Sequence, residues 1–145
     1  MARMMAKAKT PRVNGAAAPA ASSAVSVWGG DLDQWPTSWM GLERDLPAGE
    51  QLLACFRPFI EQLTSSKLSP KTIRRHVDNL WLLGGEIIRD LHGDSSLRKL
   101  PAERLLCRVI HEDGGPLIHN GSEDEQRSFD STCRKLYRFL SQPRH

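Results

Sequence analysis

The sequence predicts an all-α protein: a small bundle of about four helices behind a disordered N-terminal arm. Three observations carry this reading. Long stretches between residues 48 and 141 repeat apolar side chains at three- and four-residue steps, the period of one helix face. Two of those stretches open with helix-start chemistry, Ser69-Pro70 and the Ser122/Glu125 pair. No stretch of useful length alternates with the period of a strand. At 145 residues the chain has room for one domain with a single core. We divide it into an arm, residues 1–27, and a helical domain, residues 28–145, with its core at about 46–141.

The arm carries Arg3, Lys7, Lys9 and Arg12 and no acid. Its Ala-, Ser- and Pro-rich run has no amphipathic period, which is the composition of a disordered segment. A basic arm of this kind can touch phosphates, but its first reading is a solvated tail dispensable for folding. Residues 28–46 then hold Trp28, Trp35 and Trp39 among glycines and Pro36. Those breakers allow only a short helical turn, at about Ser38 to Arg44, and the indoles read as caps on the core.

The first long helix is expected at 48–65, with Leu52, Leu53, Phe56, Phe59, Ile60 and Leu63 on one face. Pro58 lies inside it and should kink it, because proline lacks an N–H and crowds the carbonyl of Ala54. Ser65, Ser66 and Lys67 form the link. The second helix, Pro70 to Leu91, is capped by Ser69 and carries a stripe of Ile73, Val77, Leu80, Gly84, Ile87 and Leu91. Trp81, Leu83 and Ile88 widen it. Gly84-Gly85 inside that stripe implies the close crossing of another helix.

A shorter third helix, 101–111, presents Leu105, Leu106, Val109 and Ile110. The loop HEDGGPLIHNG follows, with an extended piece expected at Pro116 to His119. The last helix, 123–141, has a capping box at Ser122 and Glu125 and acids in its first turn. Phe129, Cys133, Leu136, Tyr137 and Leu140 form its apolar stripe, and Arg134, Lys135 and Arg138 suit the negative end of its dipole.

Charge is segregated along the chain. Residues 28–66 hold six acids against Arg44 and Arg57, whereas residues 67–92 hold five bases against three acids. Cys55, Cys107 and Cys133 show no paired spacing, so neither a disulfide framework nor a zinc site is supported, and all three read as inert thiols on core faces. No apolar run approaches the roughly 18–20 residues that span a bilayer. The start lacks the apolar core of a secretory signal, so a cytoplasmic protein is expected. His111, Glu112, Asp113 and His119 share one loop in no metal-ligand rhythm and read as a solvated acidic loop. No nucleophile has an organised base nearby and no Gly-rich loop joins a strand to a helix. We therefore expect no enzyme, no metal and no cofactor.

One stretch stands apart. In SPKTIRR, Lys71, Arg74 and Arg75 crowd the positive end of a helix dipole, which disfavours exposed cations by roughly 0.3–1 kcal/mol each. A phosphate would reverse that penalty, since helix N-termini offer free amides and partial positive charge. The candidate DNA-binding residues are accordingly Ser69, Lys71, Thr72, Arg74 and Arg75. The bland alternative is a solvated face on which Asp78 pairs with Arg74 or Arg75.

The run FRPFIEQLTSSKLSPKTIRRHVDNLWLL, residues 56–83, resembles the opening of the helical core-binding domain of phage integrases and other tyrosine recombinases. Leu68, Ser69, Thr72, His76 and Leu80 occupy the matching positions. The resemblance implies a small helical bundle that clamps one side of duplex DNA, here a stand-alone module of mobile-element origin. The family's catalytic features are missing: no His-x-x-Arg occurs and Tyr137 lies on an apolar face. Two readings follow. The leading one is a non-enzymatic module that binds the phosphate backbone of duplex DNA. The other is a small helical interaction protein, with no nucleic-acid role, whose Trp28–Trp39 segment docks a protein partner.

Overall fold

A computed structural model describes residues 32–118 and 121–142. The arm 1–27, Trp28 and His119 lie outside the described residues. Five α-helices follow one another: α1 (Trp35–Trp39), α2 (Leu46–Thr64), α3 (Pro70–Gly93), α4 (Ala102–Val109) and α5 (Glu123–Ser141). Short 3-10 turns at Leu32–Gln34, Glu43–Asp45 and Ser95–Lys99 join them. The described residues contain no strand; an isolated antiparallel bridge between His111 and Gly114 tightens the α4–α5 loop. The all-α bundle expected from periodicity is the observed fold.

The core forms because the apolar stripes of α2, α3 and α5 face one another. Phe56, Ile60, Leu80, Leu83, Phe129 and Leu136 are all fully buried at this junction. Removing such side chains from water contributes roughly 1.5–3 kcal/mol each, the dominant stabilising term. α2 packs on α1, α3 and α4, and α3 packs on α5. α2 runs through Pro58 without interruption, with the proline on its exposed side.

The structure corrects several expectations. The turn predicted at Ser38 to Arg44 is instead split: α1 ends at Trp39, and a separate 3-10 turn starts at Glu43. Pro36 in the first turn of α1 explains the earlier start, since proline suits that position. Cys107 is exposed rather than buried, because it sits on the side of α4 opposite Leu105 and Leu106. On α5 the stripe is rotated slightly. Phe139 and Thr132 are buried, whereas Tyr137 and Leu140 pack only at the edge of the core.

Gly84 faces an indole. A Cβ placed there would overlap Trp39 Cζ2, so the ring occupies the space a side chain would need. The crossing predicted from the glycine pair is thus made by a side chain of α1 laid on α3. Hydrogen bonds lock it in place: Trp39 Nε1 donates to the Trp81 carbonyl at 2.9 Å, and Trp81 Nε1 donates to Ser38 Oγ at 2.9 Å. Trp35 is buried beside Trp39, their ring centroids 5.8 Å apart. Both indoles belong to the core, as read from the sequence.

Candidate nucleic-acid interface

The start of α3 is built by its cap. Ser69 is extended, and its Oγ accepts from the Thr72 amide at 3.2 Å while donating to Thr72 Oγ1 at 3.0 Å. The Ile73 amide donates to the Ser69 carbonyl at 2.9 Å. Pro70 has no N–H. Of the amides in this first turn, only that of Lys71 therefore remains for an outside acceptor among the described residues. The amide cradle expected at this terminus is largely consumed by the chain itself, so an anion here depends on side-chain charge.

The predicted cations are exposed. Lys71, Arg74 and Arg75 all project to solvent, and Thr72 is half-buried. Arg74 and Asp78, four residues apart, are each engaged in interactions within the chain. Lys71 and Arg75 are the more available pair.

Folding adds bases that the sequence did not mark. A groove of about 410 Å³ runs between the α2–α3 link and the end of α5. Lys67, Lys135 and Arg138 line it, with Leu63, Leu68 and Phe139 as its apolar walls, and no carboxylate of the described residues lines it. Lys135 and Arg75 also both act on one buried group, so each lies within electrostatic reach of the α3–α5 contact. On α5 these bases are equally explained by the helix dipole, so nothing local marked them as part of a site. Only the packing of α5 against α3 reveals it.

The buried group is His76, 3% exposed. Burial, then the charges of Lys135 and Arg75, push its pKa down to about 4. His76 Nδ1 lies 2.7 Å from Thr132 Oγ1. Asn79 Nδ2 donates to the same hydroxyl at 2.9 Å, and also reaches Ser128 Oγ at 3.1 Å and the Ser128 carbonyl at 3.2 Å. Thr132 Oγ1 in turn donates to the Ser128 carbonyl at 3.4 Å. With its pKa at about 4, His76 is neutral at pH 7. Although His76 occupies a position of the recombinase-like pattern, here it joins α3 to α5 and touches no groove.

A second polar cluster lies at the far end of α3. Asp45, 1% exposed, accepts from the amides of Gly41 and Leu42 at 2.8 and 2.9 Å. It also accepts from His92 Nε2 at 2.8 Å and Arg98 Nη2 at 2.7 Å. Burial alone would raise its pKa, but the hydrogen bonds from His92, Leu42, Arg98 and Gly41 outweigh it and hold the carboxyl well below its usual range. Asp45 thus ties the α1–α2 connection to the end of α3.

Cys133 is pushed up to about 12 by burial and then by Asp130, with Arg134 offsetting part of it, so the thiol stays protonated. His111, Glu112 and Asp113 are exposed. Among the described residues no group of three or more His, Cys, Asp or Glu side chains gathers as metal ligands. None of their helices is long and apolar enough to cross a membrane.

Fold and site together define a small all-α bundle with a basic groove that no carboxylate of the described residues lines. No family model, no curated protein and no solved structure matches the chain.

Proposed function

We propose that this chain is a non-enzymatic DNA-binding module that holds the phosphate backbone of duplex DNA on the face shared by α3 and α5. The observation that carries the reading is convergence. Lys67 from the α2–α3 link and Lys135 and Arg138 from α5 line one groove that no carboxylate of the described residues lines, and Arg75 of α3 is near enough to act together with Lys135 on the buried His76. Like charges gathered without counter-charges repel one another, and a polyanion relieves that repulsion. Ser69 serves by shaping the helix start, Thr72 brings a hydroxyl, and Arg74 flanks the face. The likeness of residues 56–83 to integrase core-binding domains points the same way, toward a stand-alone cytoplasmic relative of mobile-element origin.

Such contacts position a protein on DNA without reading its bases, so affinity should depend strongly on salt and little on sequence. A gel-shift titration with duplex DNA at two salt concentrations tests this. Affinity that falls steeply with salt supports the proposal. Absence of binding at low salt overturns it and leaves the basic face as a docking site for an acidic protein.

A further inference from the structure

A second groove, of about 560 Å³, lies where α1 meets α2. Its floor is apolar, with Leu53, Ala54 and Pro58 on one stripe of α2. Carboxylates rim it: Asp33 just before α1, and Glu50 and Glu61 near the two ends of the stripe. Arg57 also lines the groove, its charge paired with Asp33, whereas Glu50 and Glu61 have no basic partner among the described residues and leave the lining net acidic. Pro58 also brings no N–H to the Ala54 carbonyl one turn back, which adds an acceptor lacking its ordinary donor. An apolar floor ringed by acceptors suits an extended segment carrying cations.

The chain itself contains such a segment. Lys7, Lys9 and Arg12 stand in KAKTPR without a single acid among the first 27 residues. The chain enters the described domain at Leu32, next to Asp33 on the groove rim. Nineteen residues lie between Arg12 and Leu32, and at about 3.3 Å per residue the connection reaches roughly 65 Å, far more than needed. The register fits as well. Glu50 and Glu61 lie about 16 Å apart along α2 at 1.5 Å per residue, and an extended Lys7–Arg12 segment spans about 17 Å. Thr10 precedes Pro11, which biases it toward the extended backbone this requires.

We infer that residues 7–12 dock along this groove of their own chain, with the bases at the two ends of the segment meeting Glu50 and Glu61. The acidic rim selects the arm by charge, and the tether keeps its effective concentration high. The solvated tail read from the sequence becomes a strap over α2.

Zero-length carbodiimide cross-linking of the full chain, followed by mass spectrometry, tests the strap. A mixture of light and ¹⁵N-labelled chains separates links within a chain from links between chains. We expect intrachain links from Lys7 or Lys9 to Glu50 or Glu61, lost in the E50Q/E61Q variant while far-UV circular dichroism is unchanged. Arm links with mixed-isotope pairs at the statistical share of random pairing would put a second copy's arm in the groove and overturn the proposal, as would links involving no arm lysine. Amide resonances of residues 50–61 provide an independent reading. They should move in the full-length K7Q/K9Q/R12Q variant and in high salt, and unchanged positions in both would also overturn the proposal.

Discussion

His76 and Thr132, one on each of two facing helices and 56 residues apart in sequence, meet at 2.7 Å beneath the basic face. The pair joins the packing of α3 on α5 to the electrostatics of the surface above it.

This geometry predicts acid sensitivity. The folded-state pKa of His76 is about 4, below its ordinary 6.5, so between these values the unfolded chain binds more protons than the folded one. The His76 contribution to stability is full above pH 6.5, falls as pH drops through that window and is gone below 4. The contribution at stake is about 3 kcal/mol. Urea unfolding at pH 7, 5.5 and 4 should show the decline, and the H76Q variant should show a shallower one.

Thr132→Val removes the hydroxyl while keeping the shape. It leaves His76 Nδ1 without its partner and withdraws one acceptor from Asn79. An unsatisfied buried polar group costs about 1–3 kcal/mol, and urea midpoints should fall accordingly.

Lys135 and Arg75 depress the His76 pKa and stand on the proposed DNA face. Replacing Lys135 by Gln should raise that pKa, as followed by the imidazole proton resonances. Replacing both Lys135 and Arg75 by Ala should lower the salt slope of DNA binding by about 0.9 for each phosphate that is no longer neutralised. A slope equal to that of the unsubstituted protein would remove these residues from the interface.

Gly84→Ala opposes two effects. Alanine favours a helix by about 1 kcal/mol over glycine. Its Cβ would overlap three Trp39 ring atoms, so the indole must leave its seat and its bond to Trp81. Overpacking of this kind costs about 1–3 kcal/mol. We expect net destabilisation in thermal melts and a shifted tryptophan emission, whereas Gly85→Ala, with the ring no nearer than 3.6 Å, should be neutral or stabilising.

Asp45→Asn leaves Arg98 and His92 facing a neutral amide at a buried position. Breaking a buried ionic cluster at one partner costs about 3 kcal/mol. Denaturant midpoints should drop, with no recovery on raising the salt concentration.

Helix boundaries were legible because periodicity and capping are local. The expected 123–141 became Glu123–Ser141, and Ser122 and Glu125 form their box through the Glu125 amide at 3.1 Å and the Ser122 amide at 2.8 Å. Ser69 likewise caps α3 as read. The fold class and the basic turn at Lys71, Arg74 and Arg75 were therefore determined by the sequence alone. The tertiary structure decided the rest. His76, Asn79 and Thr132 are polar residues whose meaning depends on a partner helix some fifty residues away. Asp45 looks like one acid among many until Arg98 and His92 reach it. Lys135 and Arg138 satisfy the dipole of their own helix equally well whether or not Lys67 stands opposite. A local pattern records which face of a helix is apolar, but not which helix covers it. Buried polar pairs and shared charged surfaces exist only once that choice has been made.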